Sequence, residues 1–535
     1  MDCVKIIAKA LSDTERIKVY DIKGKIFKTF MVTIREINTH GGPEKFFEKY
    51  PVGGMYFGED KIYRNERGIE IGTKLTFEKL NECKKYSKKK LFVCADHTWI
   101  RGQKIKLDVQ CSLGSSQNLD DAYSYGKIVG MQMNDKGVDM VLGPSMDMCL
   151  DHTMYMRAIS DDPIAVGKIY RNVVRGIQDQ GVCATVKHFP GLGTYFLNMH
   201  MGAGANILSF DKWMETYGYT YKEMFKENVM SVMTTHATLS AYDNELSDGY
   251  LPIATYSKKL TTDLLKGELG FDGAVITDAL IMGGMATGDL VAETVQAFKA
   301  GADLLLWPPV EAAEAIEKAI NDGEIPMSRL EDALSRIEKL EQFRNKALED
   351  KKYDAPNAEF ADEKLLSNAK NGMCELRNNI NLLPLKADKY EKVLVVDVTD
   401  DDAFSSQMLF DELKKRGINA EVKRDIYDVP SRVCWQSDID ALQNEYDLVI
   451  FNVNACFLAE WSVPHMLIWA SHLFDKNKKL IVNYRGPFFA EDYIPEDPTF
   501  IEMNCAPTVE TIEMLVKGLF GETNFIGKSL LKERR

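Results

Sequence analysis

The stretch "DPIAVGKIYRNVVRGIQDQGVCATVKHFPG", Asp162–Gly191, joins two segments of different rhythm. Residues 162–181 are long and amphipathic enough for a helix. "CATVKHF", Cys183–Phe189, is then apolar on both faces, as in a parallel strand covered on both sides. The alternation extends outward in both directions. "FKTFMVTI", "VGGMYFG", "LFVCAD" and "VDMVLGP" precede it; "VMSVMTTHA", "GAVITDA" and "ADLLLWP" follow. Eight such strands, most separated by helix-length segments, predict a TIM-like (β/α)8 barrel.

Polar residues collect at one end of these strands. Asp96 ends the third, Lys187 and His188 end the fifth, His236 lies late in the sixth and Asp278 ends the seventh. In a barrel the C-terminal strand ends form one rim, and that rim hosts chemistry. Just past the fifth strand, "VKHFPGLGTYFLNMH" bends at Pro190 and Gly191 and runs into a loop that ends on His200. No helical or strand period explains a histidine there.

The helical, charged segment 310–350 closes the first domain, expected over residues 1–350. The polar stretch "EDKKYDAPNAEFADE" reads as the start of a linker over 351–385. A second alternation, "KVLVVDV", "AEVKRD", "DLVIFNV", "KLIVNY" and "TFIEMNC", then predicts an open α/β sandwich over 386–535.

With 535 residues the chain is too long for a single core, and two or three domains are expected from length. A formal net charge of −14 disfavours nucleic acid and anionic membrane as partners. No run of about 18 apolar residues predicts a membrane span. The N-terminus lacks the apolar stretch of a signal peptide, and the cysteines have no CxxC spacing, so reduced core thiols in a cytoplasmic protein are expected. HExxH, a P-loop and a strand-borne GxGxxG are all missing, so no metal or nucleotide is signalled.

Several of these segments resemble glycoside hydrolase family 3, in the branch of the bacterial β-N-acetylhexosaminidases. "KYPVGGMYFG" is similar to the family's second barrel strand and "RAISDDP" to its R-S-F-G-x-D-P segment. "KHFPG" is one of its most specific signatures, and "ELGFDGAVITDALIMGGM" is close to its G-F-x-G-V-V-x-T-D-x-L-x-M strand and loop. "LFGETNFIGKSL" resembles the final segment of two-domain members. The resemblance implies a retaining exo-β-glycosidase, β-N-acetylhexosaminidase-like, that acts on a small carbohydrate without metal or cofactor. It puts the nucleophile on Asp278 and the acid/base on His200, oriented from two residues earlier by Asn198. It puts sugar binding on Asp96, Arg157, Lys187 and His188, whose types suit hydroxyl and carbonyl oxygens.

Departures from the family pattern fall on two sides of the expected sugar pocket. Asn198 stands where the family has aspartate, and an amide orients an imidazole without stabilising its cation by charge. A slower acid step at neutral pH follows. "GLGTY" replaces G-H-G-D-T, and "DHTWIRG" replaces D-Q-E-G-G with only Asp96 kept; Arg101 or Lys104 would stand for a later arginine. Three other readings stay open: a β-glycoside phosphorylase, a non-catalytic sugar-binding protein, and an acid/base at Glu460 in the second domain. The sequence leaves the oligomeric state undetermined.

Overall fold

The computed structural model of this chain describes residues 22–58, 62–64, 70–72, 77–87, 89–97, 110–148, 150, 158–195, 199–247, 249–285, 287–399, 404–424, 426, 435–454, 471–484 and 498–531. Its contacts divide it into two compact units. One holds residues 1–104, 126–147 and 173–356, the other residues 105–125, 148–172 and 357–535.

The first unit contains all eight expected strands: β1 Phe30–Val32, β2 Gly54–Tyr56, β3 Phe92–Ala95, β4 Met140–Val141, β5 Cys183–Phe189, β6 Ser231–Thr234, β7 Ala274–Thr277 and β8 Leu305–Leu306. Each is hydrogen-bonded in parallel to the next in chain order, and β1 also pairs with β8. The ring closes between β7 and β8 through an Ile276–Leu304 bridge. Met31, Cys94, Met140, Met233, Ala274 and Ile276 fill one shared core, so the apolar runs are accounted for on both faces.

The expected 310–350 helix is two helices, Ala312–Asn321 and Met327–Glu349, broken where Gly323 adopts a φ of 79° and Pro326 follows. The longer helix packs on the residues that begin the strands. Its Arg344 donates to Asp139 Oδ1 at 2.9 Å, to Asn134 Oδ1 at 2.8 Å and to the Gly181 carbonyl at 3.0 Å. Arg336 reaches the Gly273 carbonyl at 2.6 Å. Asp139 also accepts from the Val93 N–H at 2.9 Å, so Arg344 joins β3, β4 and β5 at their N-terminal ends. Breaking such a buried ion pair costs about 3–5 kcal/mol. This end of the barrel is committed to stability, which leaves the opposite end for chemistry.

The second unit carries a six-stranded sheet: β9 Cys374–Asn378, β10 Val393–Thr399, β11 Ala420–Lys423, β12 Leu448–Asn454, β13 Lys479–Asn483 and β14 Thr499–Glu502. The order is β9-β14-β13-β12-β10-β11, with only β9 antiparallel. Alternate residues of β10 separate two cores. Val393 and Val395 meet Leu409, Leu413, Ile512 and Leu515 on one face; Leu394, Val396 and Val398 meet Ile439 and Phe474 on the other. Helices on both faces make this the expected sandwich.

Residues 351–385 are not a plain linker. Asn357 caps a helix, Ala358–Gly372, by accepting from the Phe360 N–H at 3.0 Å, and β9 follows directly. The buried stripe of that helix is Ala361, Leu365, Asn368 and Ala369, small or polar enough that composition hides it. The six described cysteines are all buried, in line with core residues.

Candidate active site

Asp278 follows β7 at the C-terminal rim. Its N–H donates to the Thr234 carbonyl at 2.9 Å, and its Oδ1 accepts from the Ala279 N–H at 2.8 Å. Burial works against its charge, but His188, His236, Lys187 and the Ala279 N–H outweigh it and hold the carboxyl below the usual aspartate range. It is therefore an ionised carboxylate at neutral pH, fixed in direction by its strand.

Lys187 and Asp96 meet across the rim, Nζ to Oδ1 at 2.5 Å. Tyr56, at the end of β2, donates its hydroxyl to the other Asp96 oxygen at 3.1 Å. Behind Tyr56 stands Trp307, ring centroids 5.2 Å apart and edge to face. Trp307 directly follows β8 with a φ of 63°, a conformation that bulky side chains rarely adopt. Its buried Nε1 has no hydrogen-bond partner.

His188 is buried against Asp147, Nδ1 to Oδ2 at 2.6 Å. The same carboxylate accepts from Ser145 Oγ at 2.8 Å and from the Leu192 N–H at 2.8 Å. Burial raises the Asp147 carboxyl, and the His188 charge and these donors more than offset it, so it lies below the ordinary range. His236 is fully buried, with Nδ1 2.9 Å from Thr255 Oγ1 and Nε2 3.1 Å from the Ala279 carbonyl. Burial lowers its pKa, so the neutral ring donates from Nε2 to a carbonyl that can only accept. It braces the peptide that follows Asp278.

The loop leading to His200 is anchored at several points. Gly191 has a φ of 113°, and a Cβ there would lie 2.2 Å from the Tyr217 ring, so only glycine fits the turn. Trp213 Nε1 donates to the Pro190 carbonyl at 2.7 Å, and Gly204–Ala205 pairs in parallel with Ala237–Thr238. Gly283 and Gly284, in the loop after Asp278, donate to the carbonyls of His200 at 3.2 Å and Met199 at 2.9 Å. A Cβ on Gly283 would come within 2.5 Å of the His200 carbonyl oxygen. Glycine thus lets the two loops touch backbone to backbone, with the exposed His200 on the outer one.

Asp278, Asp96, Lys187 and His188 are brought to one rim as expected, with His200 on a loop docked there. Arg157 and Asn198 lie outside the described residues, as do Glu460, Arg101 and Lys104. Sequence reasoning passed over Asp147, Tyr56, Trp307 and the Gly283–Gly284 pair. The strand-end rule applied to β2, β4 and β8 could have found the first three. Among the described residues, Glu36, His40 and Glu311 group closely enough to ligate a metal, but both His40 nitrogens are engaged, at 2.9 Å by the Glu36 carbonyl and 3.3 Å by Glu311 Oε1. No described helix is long and apolar enough to cross a membrane.

Similar proteins share sequence and fold with this chain. A β-N-acetylglucosaminidase/β-glucosidase of Cellulomonas fimi is 24% identical over 455 residues, covering 78% of each chain. β-Hexosaminidase A of Pseudoalteromonas piscicida is 22% identical over 64% of this chain and 63% of its own. Among solved structures, a family 3 β-N-acetylglucosaminidase from a Paenibacillus species superposes with a TM-score of 0.76 at 21% identity, over 95% of this chain and 98% of its own. The β-glucoside phosphorylase BglX superposes with a TM-score of 0.78 at 18% identity, over 98% and 96%. Residues 33–340, more than half of the chain, match the family described as glycosyl hydrolase family 3 N terminal domain. The chain belongs to glycosyl hydrolase family 3 and is a glycoside hydrolase.

Proposed function

We propose that this chain is a retaining exo-β-glycosidase acting on β-linked N-acetylglucosamine or a related amino sugar. Asp278 attacks the anomeric carbon while His200 protonates the glycosidic oxygen; His200 then deprotonates the water that releases the sugar. Asp96, Lys187 and His188 hold the sugar, with Arg157 joining them and Asn198 orienting His200. The carrying observation is the strand-end carboxylate of Asp278, held below the usual aspartate range at the C-terminal rim. Support for the sugar class comes from the names of the Cellulomonas and Pseudoalteromonas relatives.

The test is trapping with a fluorinated glycosyl substrate followed by peptide mass mapping. The expected result is one glycosyl group on Asp278, absent in Asp278→Asn. His200→Ala should lose turnover of poor leaving groups by on the order of 10²–10⁴-fold and keep most of it with an activated aryl leaving group. No adduct and no turnover with any sugar would leave a sugar-binding protein instead. The uncharged Asn198, two residues before the acid in sequence, favours a second reading, because an amide repels phosphate less than a carboxylate would. Sugar 1-phosphate formed in phosphate buffer would establish phosphorolysis.

A further inference from the structure

We infer that the leaving-group side of this site is apolar, and that the enzyme selects β-glycosides whose aglycone presents an alkyl or aryl surface. This rests on His200 being the acid. A general acid must come within hydrogen-bond reach of the atom that it protonates. The group bonded to the glycosidic oxygen therefore lies against the segment that carries His200.

What that segment offers is hydrocarbon. Met201, directly after His200, is 82% exposed, and Ile281, in the loop that follows Asp278, is 58% exposed. Single exposed apolar side chains are ordinary on any surface. These two sit on loops that hydrogen bonds dock against each other. Gly283 donates to the His200 carbonyl, and a Cβ at Gly283 would lie 3.1 Å from the Met201 carbonyl carbon. Ile281 precedes that glycine by two residues. The polar groups found on the rim, Asp96, Lys187 and His188, are paired on the sugar side with Tyr56 and Asp147. The chemistry of the two sides thus differs: hydroxyl-binding groups for the glycon, hydrocarbon for the aglycone.

The test is a series of methyl, butyl and hexyl β-glycosides of the sugar that the enzyme turns over, below micellar concentrations, with kcat/KM taken from sugar release. The expected result is a rise of roughly two- to fourfold per added methylene until the apolar surface is covered. In the Met201→Ser/Ile281→Ser double variant the hexyl-to-methyl ratio should fall toward one. Because the readout is a ratio within one protein, a general loss of activity does not mimic it. A flat series in the parent, or a slope that survives in the variant, overturns the inference while leaving the glycosidase reading intact. Absence of turnover with every β-glycoside overturns that reading and the inference with it.

Discussion

Asp147 takes donors from His188, Ser145 and the Leu192 N–H, and so fixes the turn that leads from β5 into the His200 loop. Its carboxyl is depressed in the folded protein, so its stabilisation is fully present above the unfolded value of about 3.9 and is lost as pH falls through the lower folded value. Asp147→Asn keeps the shape but turns one acceptor oxygen into a donor facing donors. At pH 7 it should cost about 1–3 kcal/mol, read from denaturant unfolding. Below about pH 4 the gap between variant and parent should shrink, because the unfolded parent takes up a proton first and the folded parent does so only at its lower value. A gap that stays constant from pH 7 to pH 3 would remove the ionised pair from the account. Asp147 was not legible because its role depends on three partners 2, 41 and 45 residues away. Asp278, Lys187 and His188 were legible because each stands at the polar end of an apolar run, where a barrel strand meets its rim.

The eight barrel strands could be read from sequence because burial on both faces demands uninterrupted apolar residues, and the short runs alternate with helix-length amphipathic segments. The same logic failed for β9 and for the helix Ala358–Gly372, whose buried stripe is short or polar and whose surroundings look like a linker. Loops fared differently again. The reach of His200 toward the rim could be expected, but the means of holding it could not, because Gly283 and Gly284 act by lacking side chains. Gly283→Ala tests that device. The added methyl would sit 2.5 Å from the His200 carbonyl oxygen, against backbone that cannot rotate away, so the two loops must part. A displacement of this kind should lower kcat for poor leaving groups by about 10²-fold. Turnover of an activated aryl glycoside, which needs no acid, should change far less. Equal losses on both substrates would mean that the glycine serves the fold of the Asp278 loop and not the acid.

At the scale of the whole molecule the chain does not fall into two consecutive pieces. Residues 105–125 and 148–172 leave the barrel sequence and join the unit formed by residues 357–535. Ser115 Oγ reaches the carbonyls of Gly372 at 2.6 Å and Lys528 at 2.7 Å, and Ser160 Oγ reaches Leu530 at 3.0 Å. Asp121 accepts from Ser367 at 3.2 Å and from Asn371 at 3.1 Å. A reading that moves along the sequence has no local signal for such returns, because nothing in "CSLGSS" says that its cover lies more than 250 residues ahead. The consequence is testable by cutting the chain after Pro356, close to the boundary that sequence alone suggested. The fragment keeps all eight barrel strands and the helix Met327–Glu349, yet the helix Cys111–Ser116, with its buried Cys111 and Leu113, loses the helix Ala358–Gly372 that packs on it. Apolar surface uncovered in this way drives association. The fragment should therefore bind an apolar dye strongly and sediment as aggregates, and co-expression of residues 357–535 should rescue it. A monomeric fragment that unfolds cooperatively at the parent's temperature would mean that the barrel and its two returning segments stand without residues 357–535.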